Sequence, residues 1–160
     1  MAGQIEARLA ELGIELSGPP PAPAANYVPY VVAGDMVFVS GQIPMTAAGL
    51  DSLIKGKVGA DIDIPAAAAA ARLCALNLLA QLKSACDGDL DRLVRVVKLT
   101  GFVNSTPEFG DQPKVVNGAS DLLVEVLGDK GRHSRSAVSA GSLPFGCAVE
   151  VEGIFQIKTA

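Results

Sequence analysis

Apolar and polar residues alternate near the C-terminal end of the chain. From Cys147 to Ile157 the sequence is C-A-V-E-V-E-G-I-F-Q-I, in which Glu150, Glu152 and Gln156 separate apolar residues. This two-residue period predicts a half-buried β-strand whose two glutamates share one face. Alternating carboxylates usually lie on a solvated face, so the pattern alone favours a solvent-facing role, with a functional site as the alternative.

The segment just before this strand predicts a second strand and a turn. Ser136 to Ser142 is β-prone, and Leu143-Pro144-Phe145-Gly146 consists of turn-forming chemistry. We therefore predict that the two strands pair as a hairpin-like unit. Such a hairpin would fold Arg135 back toward the strand that carries Glu150.

The rest of the pattern predicts an α+β fold with the order β-hairpin, helix, strand, helix, two strands. The expected elements are a hairpin over 28–32 and 36–40, a helix from Asp63 or Pro65 to about Ala85, a central strand from Leu93 to Val103, and a helix from about Pro113 to Leu127. We expect both long helices on one face of the sheet, and a single domain over residues 1–160.

The first 26 residues are expected to form an extension of this domain. Ile5, Leu9 and Leu12 have near-helical spacing, so residues 3–13 predict a short amphipathic helix. The segment Gly18 to Ala25, G-P-P-P-A-P-A-A, predicts an extended polyproline-type connector. We expect the extension to cover an edge of the subunit or to contact a neighbour.

Charge and cysteine content narrow the functional classes. The 160 residues contain 17 acidic and 13 basic side chains, a net charge of −4, and the basic residues are scattered. A nucleic-acid partner is disfavoured, because phosphate binding needs clustered Lys and Arg. The three cysteines are odd in number and lack metal spacing, and there is one histidine, so neither a disulfide framework nor a zinc site is predicted.

The sequence also bears on the compartment. The N-terminal residues lack the charged-then-apolar order of a signal peptide, and the alanine run Ala66 to Ala71 is too short to span a membrane. Unpaired cysteines fit a reducing environment. We predict a soluble cytoplasmic protein with no membrane partner.

The C-terminal pattern R-S-x-V…L-P…V-E-V-E-x-I, which begins at Arg135, occurs together with Ser40-Gly41-Gln42-Ile43-Pro44 and Tyr27. This combination resembles the RidA/YjgF family of small trimeric proteins over about Tyr27 to Ile157. The resemblance implies a chorismate-mutase-like α+β subunit, with a mixed β-sheet and two main helices on one face. It also implies a homotrimer with clefts between neighbouring subunits and no metal or organic cofactor.

The resemblance assigns chemistry to Arg135 and Glu150. Its best-studied members hydrolyse reactive 2-enamino and 2-imino acids to 2-keto acids and ammonia, so the expected partner is a small imino or keto acid. The arginine that matches Arg135 holds the substrate carboxylate, and the glutamate that matches Glu150 positions or polarises the attacking water. From the residues alone, Arg135 could equally form a salt bridge with Glu150 or Glu152.

Further residues match positions that line the family's ligand cleft. These are Tyr27, Ser40, Gly41, Asn117 and Ala137. Taken by themselves, Tyr27, Ser40 and Asn117 favour ordinary roles as a half-buried aromatic, a turn former and a polar helix residue. Ala137 departs from the family, because many members have a cysteine at this position, and we expect the change to affect cavity size and substrate preference.

Two alternatives to an imine deaminase stay open at this point. A binding or regulatory protein could keep the carboxylate-binding cleft without turnover, which the alanine at 137 favours. A ribonuclease, an activity attached to the family by name, is disfavoured by the acidic charge balance. His133, two residues before Arg135, is expected to be solvated rather than catalytic, although its titration near neutral pH leaves a functional role open.

Overall fold

A computed structural model describes residues 3–16, 23 and 25–160 of the chain. Its elements are α1 (Gln4–Glu11), β1 (Tyr30–Ala33), β2 (Met36–Gln42), α2 (Ile64–Ala85), β3 (Leu93–Asn104), α3 (Gln112–Leu127), β4 (Ser134–Ala140) and β5 (Val149–Ile157). The predicted order of hairpin, helix, strand, helix and two strands is confirmed. The predicted polyproline connector lies mostly outside the described residues.

The five strands form one mixed sheet in the order β1-β2-β5-β3-β4. β4 runs parallel to β3, and the other neighbours are antiparallel. The predicted pairing of β4 with β5 is therefore wrong, because β3 lies between them. β3 and β4 are joined by α3, and a helical crossover makes neighbouring strands parallel, which leaves the other edge of β3 to β5.

A short polar cluster supports the chain where it passes from β4 to β5. Lys57 Nζ donates to Asn104 Oδ1 at 2.7 Å and to the Gly141 carbonyl at 2.8 Å. Asn104 Nδ2 in turn donates to the Cys147 carbonyl at 3.1 Å. These side chains satisfy two backbone carbonyls in this connection, which also forms an isolated bridge between Cys147 and Lys55.

Both long helices pack on one face of the sheet, as predicted. α2 begins after Asp63, whose carboxylate accepts the Ala66 N–H at 2.9 Å and so caps the helix. α2 and α3 approach closely at Gly118, where a Cβ would lie 2.7 Å from the carbonyl carbon of Ala68. α2 has the length and hydropathy of a membrane span, but half of its apolar window is buried within this fold.

The opposite face of the sheet carries no helix among the described residues, and we call it the open face. Alternate residues of β2, β3 and β5, including Phe38, Phe102, Glu150 and Glu152, point to it, while their neighbours are buried under the helices. Phe38 remains 45% exposed there. The described part of the chain therefore leaves this face of the sheet uncovered.

Helix α1 is attached to the rest of the fold through its N-terminal end. The Asp91 carboxylate accepts the Gln4 N–H at 2.7 Å and the Ile5 N–H at 3.0 Å. These two bonds lower the pKa of Asp91. Ile5 and Leu9 are buried in the common core, so the predicted N-terminal helix is confirmed.

Candidate functional site

Arg135 lies on β4, on the face of the sheet that the helices cover. Its register partner on β3 is Leu99, which is fully buried under the helices, and register partners share a face. The guanidinium reaches α3, where Nη1 donates to Ser120 Oγ at 3.0 Å and Nη2 donates to the Pro113 carbonyl at 3.2 Å. The side chain is half-buried, so α3 orients it while part of it stays accessible.

Asn117 and Ala137 lie beside this arginine. Pro113, Asn117 and Ser120 are spaced i, i+4 and i+7 along α3, which places them on one side of the helix. Ala137 follows Arg135 by two residues, points the same way and pairs with Gly101 of β3. Arg135, Asn117, Ala137 and Ser120 form what we call the arginine group.

Sequence reasoning missed Ser120 and left His133 without a function. Ser120 Oγ lies 2.9 Å from His133 Nε2, and His133 Nδ1 lies 2.5 Å from the Gly131 carbonyl oxygen. Partial burial lowers the pKa of His133, the hydrogen bond to Gly131 raises it by a smaller amount, and the charge of Arg135 lowers it further, so that the net direction is down. The i, i+4, i+7 spacing on α3 was the only available signal for Ser120, and it gains meaning only when β4 is placed beside that helix.

Glu150 lies on β5 and points to the open face. A bulge in β2 between Val39 and Gln42 brings Ser40 and Gly41 close to it. A Cβ at position 41 would overlap Glu150 Oε1 and lie 2.9 Å from its Cδ, so glycine is what allows the carboxylate to lie there. Burial, followed by the charge of Glu152, raises the pKa of Glu150.

We group Ser40 and Tyr27 with Glu150 and Gly41 as the glutamate group, because Ser40 precedes Gly41 in the bulge and Tyr27 precedes the residue that Ser40 binds. Ser40 Oγ donates to the Val28 carbonyl at 2.8 Å, and this bond ties the chain next to Tyr27 to the bulge of β2. Tyr27 itself is 54% exposed. An aromatic side chain with that exposure is available for contact with a ligand or a second chain.

The two groups lie on opposite faces of the sheet. Arg135 points to the helix side and Glu150 to the open face, and β3 separates their strands. In the described part of the chain Arg135 bonds to α3 and forms no ion pair with Glu150 or Glu152, so the salt-bridge alternative that the residues left open is not found within one chain. The structure therefore brings Arg135 to Ser120 and Glu150 to Gly41, but it does not bring the two groups together within one chain.

Two of the three cysteines, Cys74 and Cys147, lie near Glu150 but are poor nucleophiles. Cys74 and Cys147 are buried, and both thiols donate to the Val149 carbonyl, at 3.8 and 3.5 Å. Burial raises the pKa of Cys147 to about 11 and also raises the pKa of Cys74. Because the thiolate is the reactive form, neither side chain is prepared for nucleophilic attack at neutral pH.

Comparisons with known proteins agree with this architecture. The model of the family described as "YjgF/chorismate mutase-like, putative endoribonuclease" matches residues 6–154. Protein TCP17 of Trypanosoma cruzi is 47% identical over 158 residues, which are 98% of this chain and 96% of that protein. The mixed sheet with helices is consistent with the chorismate-mutase-like α+β fold expected above.

Solved structures extend the similarity. The crystal structure of Atu1372 from Agrobacterium tumefaciens, a protein of unknown function, is 50% identical with a TM-score of 0.87, covering 96% of this chain and 92% of that one. The structure of E. coli TdcF with bound serine is 25% identical with a TM-score of 0.60, covering 88% of this chain and 94% of that one.

Proposed function

Since this chain belongs to the YjgF/chorismate mutase-like family, we propose that it hydrolyses 2-imino and 2-enamino acids to 2-keto acids and ammonia. The observation that carries the proposal is the arginine group. Arg135 is held against α3 by one bond from each terminal nitrogen. A guanidinium has five N–H donors, so this arrangement orients the arginine and leaves donors for a carboxylate.

Glu150 supplies the base in this proposal. A water molecule attacks the imine carbon, the new C–O bond forms, and the C=N electron pair moves to nitrogen while Glu150 accepts the proton of the water. Glu150 returns this proton to the nitrogen, then takes the proton of the new hydroxyl and passes it to the nitrogen as well. The C–N bond breaks, ammonia leaves, and the C=O bond of the 2-keto acid forms. The raised pKa of Glu150 makes it a better proton acceptor than an ordinary glutamate.

The site is completed between two copies of the chain. Arg135 and Glu150 point to opposite faces of the sheet, so one molecule cannot direct both at one substrate. We propose a homotrimer in which the arginine group of one subunit meets the glutamate group of the next, with Tyr27, Ser40 and Gly41 on the glutamate side. The exposed Phe38 of the open face supports burial of this face between subunits.

The remaining assignments follow from this arrangement. Asn117 and Ala137 would line the cleft beside the substrate carboxylate, and the reaction as written uses no metal or organic cofactor. Within the described residues no cluster of three or more His, Cys, Asp or Glu could hold a metal ion. We place the protein in the cytoplasm, as one domain over residues 1–160 with an N-terminal extension over 1–26.

A binding protein that holds a small amino or keto acid without turnover is the second candidate. Its support is Ala137, which replaces a cysteine found in many relatives, and the related TdcF, whose structure contains serine. Serine carries a carboxylate that an arginine can bind in the same way. A ribonuclease function rests on the names given to the family and to related proteins, and the net charge of −4 opposes RNA binding.

The test is ammonia release from enzymatically generated 2-iminobutyrate. Wild type is compared with Arg135→Ala and with Arg132→Ala, a matched control at an exposed arginine that pairs with Asp129. All three proteins are first shown to have the same oligomeric mass. Acceleration by wild type and the control, but not by Arg135→Ala, supports the proposal. If no protein accelerates release while wild type binds 2-ketobutyrate, the binding function replaces the enzyme.

A further inference from the structure

Arg135, Ser120 and His133 form a continuous chain of hydrogen bonds that ends on the backbone. The distances are 3.0 Å from Arg135 Nη1 to Ser120 Oγ, 2.9 Å from Ser120 Oγ to His133 Nε2, and 2.5 Å from His133 Nδ1 to the Gly131 carbonyl. Each member comes from a different element: Arg135 from β4, Ser120 from α3, and His133 from the segment between them.

Donor and acceptor chemistry gives this chain one direction. The Gly131 carbonyl can only accept, so Nδ1 carries the histidine hydrogen and Nε2 of the neutral ring is an acceptor. The Ser120 hydroxyl therefore donates its hydrogen to Nε2. This leaves the oxygen lone pairs of Ser120 facing Arg135, whose guanidinium can only donate.

We propose that Ser120 and His133 are positioning residues that hold Arg135 in the orientation required to bind the substrate carboxylate. The inference rests on the proposed function, because it assigns their role through that carboxylate. A flexible arginine would lose rotamer freedom when it binds a ligand, and a side chain that is already held avoids part of this cost. His133 acts by fixing the hydroxyl direction of Ser120, which it can do because Gly131 sets its tautomer.

The electrostatic setting supports the neutral histidine. Among the described residues, β4 presents the charge of Arg135 to the ring, α3 presents the neutral hydroxyl of Ser120, and the preceding turn presents the Gly131 carbonyl. His133 Nε2 and Arg135 Nη1 share Ser120 Oγ as a common partner, so a second positive charge on the ring would face the guanidinium at short range. Partial burial is the main cause that lowers the pKa of His133, and repulsion from Arg135 adds to it, while the hydrogen bond to the Gly131 carbonyl acts in the opposite direction.

The first experiment compares Ser120→Ala with Ser120→Thr. Thr keeps the hydroxyl at this half-buried position, whereas Ala removes the acceptor for Arg135. We expect Ser120→Ala to raise KM for the imino acid, or Kd for 2-ketobutyrate, about tenfold with a smaller change in kcat, because a hydrogen bond to a charged group is lost. Ser120→Thr is expected to remain within a few-fold of wild type.

The second experiment uses the single histidine of the chain, whose ring protons give unambiguous NMR signals. We expect the pKa of His133 to rise in Arg135→Gln, since a neighbouring positive charge is removed. The pKa of His133 is also expected to rise in Ser120→Ala, because the hydroxyl that donates to neutral Nε2 is lost. It is also expected to rise when wild type is saturated with 2-ketobutyrate, since the bound carboxylate offsets the charge of Arg135.

The outcomes separate this inference from the function on which it rests. If Arg135→Gln weakens 2-ketobutyrate binding but Ser120→Ala does not, Ser120 and His133 have no positioning role and this inference alone is overturned. If Arg135→Gln leaves ligand affinity unchanged, the carboxylate assignment fails and the inference fails with it. If the pKa of His133 is the same in wild type and Arg135→Gln, the hydrogen bonds from Arg135 through Ser120 to His133 do not form in solution, and the inference is overturned.

Discussion

Mixed oligomers provide the strongest test of a site shared between subunits. Arg135→Ala removes the carboxylate anchor, and Glu150→Gln removes the base while keeping the shape of the side chain. Each variant alone is expected to be close to the uncatalysed rate, because every cleft lacks one of the two groups. The two substitutions lie on opposite faces of the sheet, so each variant keeps one group intact. Arg135→Ala keeps the glutamate group, and Glu150→Gln keeps the arginine group.

The expected recovery follows from the geometry. Each cleft takes its arginine group from one subunit and its glutamate group from the next. When the variants are mixed in equal amounts and exchange freely, half of the positions carry an intact arginine group and half carry an intact glutamate group. About one quarter of the clefts then contain both, whatever the number of subunits in the ring. The mixture is expected to reach about one quarter of the wild-type rate per subunit.

The assay is ammonia release after the two variants have been unfolded and refolded together, with tagged chains used to confirm exchange. A mixture of Arg135→Ala with Arg135→Gln is the matched control and is expected to stay at baseline, because no subunit supplies the arginine. If the exchanged mixture of Arg135→Ala and Glu150→Gln also stays at baseline while wild type is active, the two groups do not meet between subunits and the proposed site is wrong.

Three further predictions follow from the structure. Because Glu150 must be ionised and its pKa is raised, kcat/KM is expected to fall on acidification at a higher pH than it would with an ordinary glutamate. Glu152→Gln removes a like charge and is expected to move this acid limb of the kcat/KM profile to lower pH. Gly118→Ala is expected to lower the free energy of unfolding in urea by about 1–3 kcal/mol, because its Cβ meets the α2 backbone. Gly110→Ala, whose Cβ would have no atom within 4 Å, is the control and is expected to have little effect. Equal unfolding midpoints for the two variants would contradict this packing. All three cysteines are buried, and burial raises the pKa of Cys147 to about 11. Native protein is therefore expected to react slowly with a disulfide reagent at pH 8, and unfolded protein is expected to react at all three thiols. Rapid labelling of the native protein would refute this burial.

Local pattern was sufficient for most of the secondary structure. The alternation around Glu150 and Glu152 predicted β5, and the structure places both glutamates on one face. Asp63 and the apolar spacing after it predicted the start of α2. These features depend on residues that are close in sequence, where backbone propensity, capping and side-chain period act directly.

Local sequence pattern did not determine how the strands pair or which residues meet in the candidate site. The β4–β5 hairpin was predicted from a turn-forming tetrapeptide, but β5 instead lies between β2 and β3 and β4 pairs with the far edge of β3. A turn motif is local, whereas the choice of strand partner depends on burying β3, β5 and both helices in one core.

Arg135 shows the same division between local and tertiary information. Its residue type and its match to a family pattern were visible in the sequence, as was the possibility of carboxylate binding. Its contacts with Ser120 and Pro113, and its position on the opposite face from Glu150, exist only because α3 packs beside β4. Periodicity assigns a side chain to a face of its own strand, but only tertiary packing decides which residues face it there.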